Sequence, residues 1–268
     1  MASVKTKKDR QTDSRFYVRE DREERVPGVT SVLNMIPKPF LTFWAAKVVA
    51  ETALECLPEV TGLALKDKQG AIDFLKGAPR RSTSGAADTG TEVHNLFERI
   101  ARGEQLGRVH PDYRPYVDGI HAFNDKYSPE YLFVEDTVWS DAHGYAGSFD
   151  AIVRIDGETV MLDAKTTRSG VHSEVAMQLS AYAYADHIIG QDGEVHDIPQ
   201  IDAGAVLHLR PEGAKLVPAR VDEETFEAFL VCRRMFDVVN TQMGTMVGKP
   251  VFDTTLEKST GSQRRASR

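Results

Sequence analysis

Residues 147 to 167 read GSFDAIVRIDGETVMLDAKTT, an apolar pattern of two buried strands interrupted by Asp150, Asp163 and Lys165. An unpaired buried charge is so costly that side chains usually neutralise instead, so these three must serve one another or a ligand. Asp156-Gly157 is a strong signal for a two-residue hairpin, because both central positions of a type I′ turn need positive φ. That turn sets Ile155 opposite Glu158 and, carried outward, Asp150 opposite Asp163. A period of two puts Lys165 on the face of Asp163. Cβ atoms of directly opposed residues lie ~4.5–5.5 Å apart, so two carboxylates and an ammonium are expected to converge on one patch. A single-residue bulge would destroy that register.

Two like charges facing each other across a ladder destabilise it. A hard divalent cation compensates them, since Mg²⁺ takes carboxylate oxygens and keeps several waters. The alternative is an exposed hairpin face on which Lys165 merely screens both acids. Asp150→Asn is expected to raise thermal stability in metal-free buffer by relieving that repulsion.

Working outward, residues 27 to about 102 have helical periodicity in TSVLNMI, FLTFWAAKVVAETALECL, KQGAIDFLKG and TEVHNLFERIARG, and another helix is expected over Tyr113 to Tyr127. YLFVEDTVW, GSFDAIVRI and ETVMLDAKTT then read as three consecutive strands, followed by a helix from Ser173 to Ile189. AGAVLHLR and AKLVPARV make a hairpin, and DEETFEAFLVCRRMFDVVN a capped last helix. This order predicts a mixed α/β (α+β) sheet domain over residues 26–255, with 26–128 mainly helical, 129–221 forming the sheet core and 222–243 the final helix. Residues 1–25 and 256–268 are polar and charged and are expected to be a disordered arm and a disordered basic tail.

The chain has 268 residues and a formal net charge of −7. Its two ends carry +2 and +3, leaving −12 for the segment between them. An overall basic footprint is missing, although a polyanion can still bind where metal ions reverse the local field. Only Cys56 and Cys232 are present, in no metal-binding spacing. With no apolar run near the ~18 residues of a membrane span and no apolar leader segment, a cytoplasmic protein without a membrane partner is expected.

The flanking helices supply further candidates. Val93, Leu96, Phe97 and Ile100 form an apolar stripe with His94 at its edge, a position that can look into a cleft or be merely half-buried. Gln178 and Tyr182, at i and i+4, share a helical face that either points at the hairpin or carries a surface amide and a core aromatic.

GTEVHNLFE, GSFDAI, LDAKTT and QLSAYAYA, in this order over residues 89 to 185, resemble the RecB-type branch of the PD-(D/E)XK nuclease superfamily. The opening VPGVTSVL and PKPFLTFWAAK is similar to that of phage and mitochondrial-type single-strand exonucleases of this branch. The resemblance implies a restriction-endonuclease-like mixed sheet flanked by helices. It implies Asp150 and Asp163 as metal-binding acids, Ala164 as a carbonyl ligand, Lys165 as the group that positions or activates water, and His94 as a further metal ligand. Gln178 and Tyr182 match the motif that follows the core. Asp163 departs from the Glu common at its position. Two cysteines cannot build the four-cysteine iron-sulfur cluster of some relatives.

A metal-dependent DNA exonuclease acting on ends or single strands is therefore expected, using one or two Mg²⁺ or Mn²⁺ ions. A phage origin and partners in recombination, repair or replication fit that reading. Arg80 and Arg81, in an expected loop before the His94 helix, either contact phosphates or are solvated, and Trp44 and Tyr182 either stack on bases or pack in the core. A structure-specific or restriction-type endonuclease with the same site is the alternative, and a non-catalytic DNA-end binding module is another.

Overall fold

The computed structural model describes residues 4–9, 12, 14–19 and 21–251; the expected basic tail lies outside them. The described chain opens with strands where the sequence pattern predicts a disordered arm. β1 (Val4–Lys8), β2 (Arg15–Arg19) and β3 (Glu24–Pro27) form an antiparallel sheet in that order. Its strands are too short and too interrupted by charge to show as periodicity, but Tyr17 and Val26 are buried in a cluster with Trp139, Ala146 and Ile189. The Tyr17 hydroxyl accepts from the Ser148 backbone N–H at 3.0 Å.

Helices follow: α1 (Val29–Leu33), α2 (Phe40–Glu55), α3 (Leu57–Lys66), α4 (Lys68–Lys76), α5 (Ala78–Ala101) and α6 (Arg114–Tyr127). α3 was not expected. α5 begins about a dozen residues before its predicted start, so Arg80 and Arg81 are helical rather than in a loop. Pro79 lies in its first turn, where a missing N–H costs nothing and φ is already helical.

The strands are β4 (Glu130–Val134), β5 (Thr137–Ser140), β6 (Tyr145–Ser148), β7 (Ala151–Ile155) and β8 (Glu158–Lys165). After them come α7 (Glu174–Ala183), β9 (His187–Ile189), β10 (Val195–His196), β11 (Ala203–Arg210), β12 (Gly213–Ala219) and α8 (Glu223–Asp237). α7 stops earlier than expected because His187–Ile189 pairs with β5. The fold is mixed α/β, with helices against a five-stranded sheet of order β12-β11-β8-β7-β4 and a four-stranded sheet of order β10-β9-β5-β6. Within the five-stranded sheet only β11 with β8 is parallel. No helix among the described residues is long and apolar enough to cross a membrane.

The predicted hairpin is the centre of the larger sheet. β7 and β8 pair from Ile155 with Glu158 to Ala151 with Leu162. Asp156 and Gly157 have φ of 51° and 87°, the left-handed pair of a type I′ turn. Ile152, Met161 and Val206 face α1, α7 and α8. Ala151, Val153, Val160 and Leu162 face α5 and α6. Covered on both faces, β8 reads as a nearly continuous apolar run.

YLFVEDTVW and GSFDAIVRI are each two strands rather than one. Each changes sheet at its middle, the first after Val134 and the second after Ser148. The two corners are bonded to each other: the Glu135 N–H donates to the Asp150 carbonyl at 3.0 Å, and the Phe149 N–H to the Asp136 carbonyl at 3.1 Å.

Candidate metal centre

The corners bring the acids together. Asp150 lies just before β7 and Asp163 near the end of β8, one step beyond the last Cα pair of the hairpin. Both are buried, at 9% and 2% exposure. The alternative of an exposed hairpin face is therefore excluded.

Their environments differ. Asp150 Oδ2 accepts from the Ala164 backbone N–H at 2.6 Å, and Asp150 Oδ1 lies 3.3 Å from His94 Nδ1. Burial pushes the Asp150 carboxyl up, but His94, Lys165 and that N–H outweigh it and hold the group below its ordinary value. Asp163 Oδ1 accepts from Lys165 Nζ at 2.7 Å and from Gln178 Nε2 at 3.1 Å. Burial and the Asp150 carboxylate nevertheless push Asp163 up to about 6. The repulsion thus falls on Asp163, so the expected gain from Asp150→Asn moves to the other acid.

Asp163 Oδ2 is buried without a hydrogen-bond partner among the described residues. A buried carboxylate oxygen left unpaired calls for a missing ligand, and a cation is the complement of that atom.

Lys165 responds to the same field. Burial would lower its ammonium, but Asp163 and Asp150 outweigh burial and hold it above its ordinary value. In the metal-free protein it is a fixed cation and hydrogen-bond donor rather than a proton acceptor. Of the two readings for Gln178 and Tyr182, the amide meets the hairpin through Asp163 while the phenol packs in the core rather than being open to stack on bases: Gln178 Nε2 also donates to the Tyr182 phenol oxygen at 3.1 Å, and Tyr182 is fully buried.

His94 approaches from α5, where Val93, Leu96 and Phe97 are buried and His94 keeps a side-chain exposure of 30%. Burial lowers its imidazole, yet Asp150 raises it more, and the net shift is upward.

A further member is Glu135, which sequence reasoning missed. Ligand atoms of His94, Glu135 and Asp150 all lie within 4.8 Å of one another, a group able to hold a metal ion. Asp163 is not in that group; its Oδ1 is engaged by Lys165 and Gln178. Burial, Asp150 and Glu98 push Glu135 up to about 7 against the pull of His94 and Arg102. Its φ of 54° is left-handed, a strained state for a residue other than glycine, of a kind that clusters at functional sites. The signal available in the sequence was the acidic Glu135-Asp136 pair inside an apolar strand pattern, the same anomaly that singled out Asp150.

No family model matches the chain, and no curated protein does. Among solved structures it is similar to one described as the crystal structure of SSO0001. The two share 15% sequence identity with a TM-score of 0.31, over 74% of this chain and 86% of that one.

Two of the predicted residues stand apart from this centre. Arg81 donates to the Phe74 carbonyl at 2.8 Å and lies 4.5 Å from the centroid of the Phe74 ring, which fixes it between α4 and α5. Arg80 is exposed on the first turn of α5. Ala164, expected as a carbonyl ligand, meets Asp150 through its backbone N–H.

Proposed function

We propose that this protein is a divalent-metal-dependent deoxyribonuclease that hydrolyses phosphodiester bonds at DNA ends or in single strands. The observation that carries the reading is the His94, Glu135 and Asp150 group, coupled electrostatically to the buried Asp163 carboxylate to which Lys165 is bonded. Asp150, Glu135 and His94 would hold Mg²⁺ or Mn²⁺, with the Asp163 carboxylate adding to the local negative field, and a bound ion supplies charge neutralisation for phosphoryl oxygens and a more acidic water. These mainly oxygen donors suit such hard ions.

The remaining work falls to side chains of this chain. Lys165, kept protonated, donates toward an attacking water or a phosphoryl oxygen, which is a positioning and electrostatic role. Gln178 holds Asp163 Oδ1, and Tyr182 fixes the Gln178 amide. Substrate has room to approach through an open cavity of about 340 Å³ lined by Lys165, Gln178, Lys38 and His172. The resemblance seen in the sequence names Asp150, Asp163, Lys165 and Gln178 as well.

The test is incubation of end-labelled linear and circular single-stranded DNA with Mg²⁺, Mn²⁺ or EDTA. Shortening of the linear strand alone, abolished by EDTA, is the expected result. Cleavage of the circle would mark an endonuclease, and binding without any cleavage would mark a non-catalytic module. Either result would overturn the exonuclease reading.

A further inference from the structure

A second cavity, of about 350 Å³, opens where β8 ends, between the first half of α5 and the segment 166–168. Its wall on α5 is made of small residues, Thr83, Gly85, Ala86, Ala87 and Thr89. Facing them are Arg168 and Arg210, and none of the lining residues is acidic. That is unusual in a chain of net charge −7, and the cavity begins at Thr166, immediately after Lys165.

The segment carrying Arg168 is held in place. Arg210 Nη1 donates to the Thr166 carbonyl at 2.8 Å, and His208 Nε2 lies 2.8 Å from the Thr167 carbonyl. Arg168 itself is exposed and has no hydrogen-bond or ion-pair partner among the described residues. Arg80, also exposed, begins the helical face that continues through Thr83 and Ala87, since residues three and seven apart share a face. An exposed, unpaired guanidinium carried by a pinned segment and lining a cavity without carboxylates is a site for an anion, and guanidinium matches phosphate by paired N–H donors.

We propose that this cavity is a backbone subsite: Arg168, assisted by Arg80, binds phosphates of a single strand whose neighbouring phosphodiester lies at Lys165. Arg210 acts as a positioning residue by pinning Thr166. The small side chains of α5 let the strand's backbone lie close to the helix. This rests on the nuclease reading and goes beyond it in fixing which side of the hairpin the strand crosses.

The test is binding of a fluorescein-labelled single-stranded oligonucleotide, in Ca²⁺, across a series of salt concentrations. For a single strand, every phosphate that the protein ceases to neutralise lowers the slope of log affinity against log salt by about 0.7. Arg168→Ala and Arg80→Ala are each expected to weaken binding several-fold and to lower the slope by about that amount, with Arg168→Lys intermediate. Gly85→Glu puts a carboxylate into the cavity without a clash, as nothing lies within 4 Å of a Cβ there, and is expected to weaken binding about tenfold or more. Wild-type affinity and slope in Arg168→Ala and Gly85→Glu, with DNA still cut by the unaltered protein, would overturn the subsite and leave the nuclease reading standing. An unaltered protein that neither binds nor cuts DNA would overturn both.

Discussion

Asp150 and Asp163 face each other just beyond the Ala151 with Leu162 pair of the central hairpin, and the protein treats them differently. Asp150 has the Ala164 N–H and His94, and is held below its ordinary value. Asp163 has Lys165 and Gln178 on one oxygen and nothing on the other, and is pushed up to about 6. One carboxylate is stabilised by the fold, while the other is held against burial and repulsion.

Substitutions at the two acids should therefore act in opposite directions in metal-free buffer at neutral pH. Asp163→Asn removes a charge the fold disfavours and is expected to raise stability by about 1–3 kcal/mol, since one pKa unit is worth about 1.4 kcal/mol. Asp150→Asn weakens charge-assisted bonds to Ala164 and His94 and is expected to lower stability by a similar amount. Thermal melts of both variants in EDTA would decide it, and a stabilised Asp150→Asn with a destabilised Asp163→Asn would refute the assignment.

The pH dependence follows from the same groups. Asp163 and Glu135 have raised folded values, to about 6 and about 7, so each favours folding when protonated and loses that contribution as pH rises from its unfolded value through its folded one. His94 is also raised, and its contribution is present below its unfolded value and lost as pH rises through the folded one. Asp150, lowered, contributes above its unfolded value and loses that contribution only as pH falls through its folded one, in more acidic buffer. In EDTA, stability is thus expected to fall as pH rises from about 4 to about 7. Mn²⁺ or Mg²⁺ should displace those protons and remove the fall, adding about 2.7 kcal/mol at a hundredfold excess over Kd. Glu135→Gln should weaken Mn²⁺ binding by about tenfold or more in titration calorimetry. A melting temperature independent of pH in EDTA, or a Glu135→Gln protein with unaltered Mn²⁺ affinity, would count against the centre.

The hairpin was legible because its determinants are local. A two-residue Asp-Gly turn fixes the register, and the register fixes which side chains meet. Helical spacing brought His94, Gln178 and Tyr182 forward but left a half-buried histidine, a surface amide and a core aromatic as open readings. The sheet corners were not, because Glu135 and Asp150 sit inside patterns that look the same whether a strand continues or changes sheet. What separates the two cases is long-range: the Glu135 N–H to the Asp150 carbonyl, and the Phe149 N–H to the Asp136 carbonyl. The first three strands were missed for a related reason. Tyr17 and Val26 are buried by partners from Trp139 to Ile189, far along the chain.

Lys165 is the group whose loss should separate binding from chemistry. It is held protonated by Asp163 and Asp150, so in the proposed reaction it would donate and carry charge. Lys165→Ala is expected to reduce single-turnover cleavage by about 10²-fold or more while oligonucleotide binding, measured in Ca²⁺, survives. Cleavage at the wild-type rate would remove Lys165 from the mechanism.

Gly147 links packing to the site. A Cβ built there would lie 2.5 Å from Tyr182 Cε1 and 3.1 Å from Val29 Cγ2, so any larger residue must displace the ring that fixes Gln178. Overpacking of this kind costs about 1–3 kcal/mol, which is the loss expected for Gly147→Ala in thermal melts. Since Tyr182 holds Gln178 and Gln178 holds Asp163, cleavage should fall as well. The cost of Gly147→Ala should shrink when measured in a Tyr182→Leu background, where the clashing ring edge is gone, because contacting residues couple in a double-mutant cycle. An equal cost in both backgrounds would show that the glycine is required for some reason other than the close approach of Tyr182.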